Sequence, residues 1–305
     1  MKKVKAIVFG IFVWAAGLSQ QDAQFSQYMF NHLALNPAYA GTKEVLDVLL
    51  VARNQWTGFN EGAPRTQQLV IQGPVGKKKI GLGLQIGSET IGPKRISGGA
   101  LSYSYRIKAG SGKLAFGLRT GLYSYVYDWG LIKMRDRNDP YYKPEQNQWT
   151  VFSADFGMYY YTKTFYAGFA MTHLNYPTIY SIHESFGEGS LVPHIFIPAG
   201  YAWQVNENLV INPSILVKAA EGAPVSTDIN CNFQIDGKFW IGAGVRSGYG
   251  ISFLAMWNIR ENFRIGYSYD YGLNRIGTAG RGSHEVVLGY GLPVFKTPSI
   301  TPRYL

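Results

Sequence analysis

From residue 79 onward the apolar and polar positions of this chain alternate in twos. Ile80, Leu82, Leu84 and Ile86 alternate with Gly81, Gly83, Gln85 and Gly87, and Leu114, Phe116, Leu118 and Leu122 stand against Ala115, Gly117, Arg119 and Gly121. Val225, Thr227, Ile229, Cys231, Phe233 and Ile235 alternate with the wholly polar Ser226, Asp228, Asn230, Asn232, Gln234 and Asp236. Successive side chains of a strand point to opposite faces, so this period predicts strands with one apolar side each. Turn signals divide the chain into about fourteen of them, starting near Val45, Gln67, Lys79, Ile96, Lys113, Thr150, Thr164, His194, Leu209, Val225, Lys238, Gly250, Phe263 and His284.

A soluble β-sandwich also alternates, but it hides its apolar side in a shared core and turns charges outward. Here the other face is rich in Gly, Ser, Asn and Tyr, with isolated Arg106, Arg119, Asp155, Lys218, Asp228, Arg246, Arg264 and Asp270. Charges of both signs that can pair suit a crowded polar lumen, with the apolar side turned to lipid. The connections agree. Those after even-numbered strands are short (110–112, 162–163, 206–208, 236–237 and 260–262), and several after odd-numbered strands are long (56–66, 128–149, 175–193 and 272–283). Short periplasmic turns and long external loops are the habit of outer-membrane barrels. The fold class expected is therefore all-β: a transmembrane antiparallel β-barrel over 45–292, with a periplasmic leader at 20–44, a periplasmic tail at 293–305 and both termini in the periplasm. Pro198 and Pro213 fall inside the eighth and ninth strands, where a closed barrel has no edge to excuse a missing N–H. Local bulges are expected there.

Composition narrows the setting. Aromatic residues make up 15% and charged residues 16% of the chain, against about 25% charged in soluble domains. That balance fits a wall that meets outer-membrane lipid. The chain opens with Lys2, Lys3 and Lys5, then an apolar run over 6–18, then Gly17 and Ser19 in a small-x-small pattern. This predicts a secretory signal peptide over 1–19, since the run is too short to cross about 30 Å of hydrocarbon as a helix. Its removal takes three lysines and lowers the formal charge from +10 to about +7. An exported protein of that charge meets lipid and partner proteins, so no nucleic-acid partner is expected. Cys231 stands alone, and no disulfide framework is expected.

Catalytic chemistry is poorly supplied. His32, His173, His183, His194 and His284 form no paired metal spacing and no nucleophile motif. His183 with Glu184 reads as an exposed loop, and Asp136, Asn138 and Asp139 lack the later Gly and Glu of a calcium loop. The expectation is a non-enzyme with no cofactor and no metal. The alternative is a channel or transporter for small solutes. Fourteen strands enclose more room than a filled eight-stranded barrel, and Arg106, Arg119, Arg246 and Arg264 would favour anions. Inward Tyr123, Tyr125, Tyr159 and Trp240 would obstruct such a pore.

The leader, QFSQYMFNHLALNPAYAGT over 24–42, has neither helical nor strand period. Its Phe25, Ser26, Gln27, Tyr28, Asn31, Asn36, Pro37, Ala38 and Gly41 resemble the PorP/SprF outer-membrane proteins, associated with type IX secretion and gliding motility in Bacteroidota. The likeness continues through Arg53, Asn54, Gln55 and Trp56, then Gly62, Ala63 and Pro64, and on to Pro302, Arg303 and Tyr304. It departs at Leu305, where the family has an aromatic residue. The resemblance implies docking either to secretion machinery (translocon, periplasmic ring or peptidoglycan-linked subunit) or to the C-terminal sorting domain of an adhesin cargo. Partner contacts are then expected from Phe25, Tyr28, Asn31 and Pro37 at the periplasmic rim, with Gln27 and Asn36 of the same leader, and from Arg53, Asn54, Gln55 and Trp56 at the external rim.

Overall fold

The computed structural model describes residues 24–59, 62–76, 79–131, 146–181, 188–260 and 262–294. The signal peptide expected at 1–19, most of the tail, and the loop residues His183, Glu184, Asp136, Asn138 and Asp139 lie outside the described residues. Fourteen antiparallel strands close on themselves: β1 Val45–Asn54, β2 Arg65–Val75, β3 Ile80–Ile91, β4 Lys94–Ala109, β5 Gly112–Asp128, β6 Gln146–Tyr161, β7 Phe165–Thr172, β8 His194–Tyr201, β9 Leu209–Ala220, β10 Ser226–Ile235, β11 Phe239–Arg246, β12 Gly250–Arg260, β13 Phe263–Gly272 and β14 Ser283–Pro293. Each pairs with its neighbour in sequence, and β1 closes the circuit on β14 from Val45↔Pro293 to Asn54↔His284. Closure leaves no sheet edge, which is what permits strands to stand in lipid.

The turns after even-numbered strands gather at one end of the barrel, with the start of β1 and the finish of β14. We call this the short-turn end and the other the long-loop end. A small ribbon, Thr178–Ser181 with Glu188–Ser190, and a short helix at Arg275–Ala279 belong to the long loops.

The prolines make no bulge. Pro213 pairs with Cys231 and Pro198 with Leu216 in unbroken register. The ladder instead skips rungs on the far side: β7 and β8 pair at Phe196↔Ala170 and resume at Ala199↔Ala167, and β8 breaks at Ala202 before Trp203 and Gln204 rejoin β9. A missing N–H costs one bond in these places and does not shift a strand. Among the described barrel strands a register shift lies instead between Asn258 and Arg260 of β12.

Outward positions are apolar and exposed, as at Leu101 (64%), Leu122 (60%) and Ile229 (60%), which is the lipid-facing surface that the alternation required. Around the β1–β6 arc the register aligns them in rungs. Leu50, Leu69, Ile86, Gly99, Leu122 and Phe152 form the last apolar rung toward the long-loop end. The next is Ala52, Gln67, Ser88, Ser97, Ser124 and Thr150, and the last is Asn54, Arg65, Thr90, Arg95, Val126 and Gln148. Beyond the apolar band this arc is therefore mostly polar, and its β4, β5 and β6, at 16, 17 and 16 residues, exceed the about 9–11 that suffice to span, while β1, β2 and β3 run 10, 11 and 12.

Candidate functional site

The core of this barrel is its lumen, and residues 24–44 fill it. The leader was expected on the periplasmic side at a rim. The structure places it inside, threading from Gln24 at the long-loop end to Glu44 at the short-turn end. Gln24 accepts a bond from Lys218 Nζ at 2.9 Å, near the long-loop end of β9, while Glu44 accepts from Lys113 Nζ at 2.8 Å beside the turn into β5. The segment folds as three short turns, Tyr28–Phe30, His32–Leu35 and Pro37–Tyr39. It lacks a regular period because its two sides meet different walls and most of its residues are buried on both.

The second half of this plug, 33–41, lies against a groove of small residues. Gly81, Ser104, Gly117, Gly157 and Ala170 are register partners across β3 to β7, a single inward rung. A Cβ on Gly81 would overlap the Ala40 carbonyl, one on Gly117 the Ala38 amide, and one on Gly157 the Asn36 side chain. The groove exists because these side chains are absent. Asn36 ties the segment down: its Oδ1 accepts from Ala38 N at 2.9 Å, capping the turn that Pro37 starts, while its Nδ2 donates to the carbonyls of Met158 (2.9 Å) and Phe169 (3.2 Å). One rung up, Arg119 pairs with Asp155 and donates to the carbonyls of Leu33 (3.1 Å) and Ala34 (3.2 Å). Arg106 and Gln72 hold the carbonyl and amide of Gly41, whose φ of +68° and contact with Gly73 and Gly81 admit no side chain.

The first half, 24–31, is held by charge. Arg53, 1% exposed, pairs with Asp270 at 2.6 Å and Glu285 at 3.0 Å. The Glu285 carboxylate accepts the amides of Ser26 and Gln27, both at 2.9 Å, and Ser26 Oγ donates to Asp270 at 2.7 Å. Buried ions persist only when paired and hydrogen-bonded, and here the amides of Ser26 and Gln27 and the Ser26 hydroxyl add three bonds to the pairs, while Arg53 Nε and Asp270 Oδ1 have no partner among the described residues. Asp228 bridges Lys218 (2.8 Å) and Arg246 (2.9 Å), and Arg246 reaches the Phe25 carbonyl at 3.3 Å. Asn230 donates to the Tyr28 hydroxyl at 2.9 Å, and Asn31 donates to Gln68 at 3.0 Å. The lumen charges foreseen in the sequence, Arg106 excepted, all sit in such pairs. Arg264 joins Asp47, which also holds Lys43.

Aromatic rings complete the seal. His32 packs against Tyr39 and Tyr166 with centroids 5.0 and 4.8 Å away, and Phe30 meets Trp240 edge-on at 5.3 Å. Tyr159 and Trp240, expected to obstruct a pore, belong to this packing. Tyr125 and Tyr123 pack higher, with Val151 and Leu191. Cavities of about 170 Å³ and about 40 Å³ flank the plug, the larger toward the long loops beside Tyr125 and His173, the smaller beside Asn212, Asn232 and Trp240.

The ten expected contact residues thus divide. Phe25, Gln27, Tyr28, Asn31, Asn36, Pro37 and Arg53 are buried in the lumen, so the first six are at no periplasmic rim and Arg53 is at no external one. Asn54 is exposed on the outer face, and Gln55 and Trp56 are half-buried in the first long loop. That loop is tied to the last one, since Trp56 N donates to Ser283 Oγ at 3.1 Å and Thr57 N to the Gly282 carbonyl at 2.8 Å. Sequence reading missed the groove. Its signal was glycine on one strand face at spacing two, but the groove appears only when five strands are set in register.

A closed antiparallel barrel with apolar flanks, a paired-charge lumen and an internal plug is an outer-membrane β-barrel. Residues 17–290 match the family described as type IX secretion system membrane protein PorP/SprF, and the chain belongs to that family. It is a type IX secretion component of the outer membrane. No curated protein matches it. Among solved structures it is similar to the toluene transporter TbuX of Ralstonia pickettii, with 12% identity, 86% of this chain and 93% of that one covered, and a TM-score of 0.50. It is also similar to Omp33 of Acinetobacter baumannii, with 9% identity, 82% and 99% covered, and a TM-score of 0.47. The translocator domain of the autotransporter NalP from Neisseria meningitidis shares 11% identity over 87% and 94%, with a TM-score of 0.43. At such identities the likeness concerns the barrel fold alone.

Proposed function

We propose that this protein is a plugged, non-enzymatic docking component of type IX secretion that meets its partner through the long-loop face. That partner is secretion machinery or the C-terminal sorting domain of an adhesin cargo. The observation that carries this reading is the lumen: residues 24–44 occupy it and bond to its buried ion pairs, so passage of a solute would first require their removal. In this reading the signal peptide is cut near Ser19, the start of β1 and the finish of β14 face the periplasm, and the long loops face outward. Asn54, Gln55 and Trp56 make partner contact. Phe25, Gln27, Tyr28, Asn31, Asn36, Pro37 and Arg53 hold the plug, and through it the shape of the rim. Service to an adhesin would connect the protein to gliding and cell adhesion.

A photo-crosslinker at Asn54 in the full-length protein tests this. Capture of a secretion subunit or cargo domain is expected, and a deletion strain should lose a surface protein. Normal surface proteomes in that strain would defeat the reading. The channel alternative has one observation in its favour: Asn212 Nδ2, Asn232 Oδ1 and both amide atoms of Gln234 have no hydrogen-bond partner among the described residues, and Asn212 and Asn232 line the cavity of about 40 Å³ beside the plug, a polar space of the kind that holds water. Planar-bilayer recordings separate the two, because a large steady conductance is incompatible with a seated plug.

A further inference from the structure

We infer that Arg65 and Arg95, with Thr90 between them, form a site on the outer surface of the barrel for the phosphate of an outer-leaflet glycolipid. The three residues are register partners on adjacent strands, Arg65↔Thr90 and Thr90↔Arg95. Strands lie about 4.8 Å apart, which sets the two arginine backbones about 10 Å from each other with the threonine hydroxyl midway. Both arginines are exposed and Thr90 is half-buried. Alternation puts all three on the outward face, because their neighbours Thr66 and Glu89 point into the lumen, where they bond each other at 3.2 Å. Among the described residues neither arginine is in an ion pair. Asp128, the acid on the same face of β5, accepts from Gly130 N at 3.1 Å.

Position selects the ligand. The arginine rung stands two steps beyond the last apolar rung, Leu69, Ile86 and Leu122. Each step is about 5 Å along the membrane normal at the usual strand tilt. That places the guanidinium groups in or just above the headgroup layer, within reach of it by snorkelling. The rung between, Gln67, Ser88, Ser97 and Ser124, offers amide and hydroxyl groups suited to sugar hydroxyls. Arginine's fork matches phosphate oxygens. The opposite arc carries no such feature: Val245 (57% exposed), Ile229 (60%) and Tyr271 (50%) keep its outward positions apolar almost to the strand ends. A phosphorylated glycolipid would therefore bind one side of the barrel and fix its facing toward neighbours in the membrane.

Naming the outer leaflet rests on the facing given under Proposed function, but the phosphate chemistry does not. Native mass spectrometry of the full-length protein, with phosphorylated lipid A, its dephosphorylated form and phosphatidylglycerol as separate probes, tests the site. Expected are retained adducts of phosphorylated lipid A, binding at least tenfold weaker for the other two lipids, and at least tenfold loss in R65Q/R95Q. R65K/R95K should keep part of the affinity, and R275Q all of it. Heat-dependent gel mobility verifies that each variant is a folded barrel. Equal binding by R65Q/R95Q, by dephosphorylated lipid A or by phosphatidylglycerol overturns the proposal. Failure of an impermeant maleimide to label T278C on whole cells, in a C231S background, overturns the facing alone.

Discussion

The two sides of the lumen hold the same segment by opposite means. Across β3 to β7 the wall gives up side chains, and Gly81, Gly117 and Gly157 admit the backbone of 36–40 into a one-rung groove. Across β9 to β14 and β1 the wall supplies side chains, and Glu285, Asp270, Arg53, Asp228 and Arg246 grip 25–27 by charge. Shape fixes the plug's register on one side and ion pairing fixes it on the other. The difference teaches that a sequence with no period can be fully specified when each half answers a different wall.

The sharpest way to break the comparison is at the charged wall. Arg53→Ala strands Asp270 and Glu285 face to face in a dry site and is expected to cost about 3–5 kcal/mol, read as a lowered thermal midpoint together with faster proteolysis of the plug. On the shape wall, Gly117→Val drives a side chain into the Ala38 backbone, which cannot step aside. A loss of about 1–3 kcal/mol is expected, with bilayer conductance appearing as 36–40 leave the groove. If Gly117→Val leaves both midpoint and conductance unchanged, the groove does not hold the plug. Asn36→Ala removes a cap and two bonds to wall carbonyls and should cost about 1 kcal/mol, measured by the same melts. Smallest is Asn54→Ala, on the outer face: stability should stay within about 0.5 kcal/mol while partner crosslinking falls, which separates rim from plug.

Much of the wall was legible residue by residue. Ile80, Leu82 and Leu84 against Gly81 and Gly83 announce a strand and its lipid side, and every strand start lies within four residues of its expected place, from Val45 to Ser283. Arg119, Asp155, Lys218 and Asp228 were readable as lumen charges able to pair. The leader was legible as special but not as internal, since Phe25, Tyr28 and Asn36 look the same in a one-dimensional pattern whether they face a partner or a wall. Arg53 and Asn54 show the limit within two residues: one step along β1 separates a buried ion pair from the outer surface.

What the sequence by itself determined is whatever repeats locally: strand period, strand number, the lipid-facing side and the ends at which turns are short. These follow from the alternation of side chains along an extended backbone, which needs no knowledge of neighbours. What only the tertiary structure decided is whatever depends on register between strands and on closure. The glycine groove joins residues 81 and 170, the clasp on the plug joins Ser26 to Glu285, and the arginine rung joins Arg65 to Arg95. Each is a juxtaposition across strands, and it comes into being only when the circuit closes and fixes which residue lies beside which.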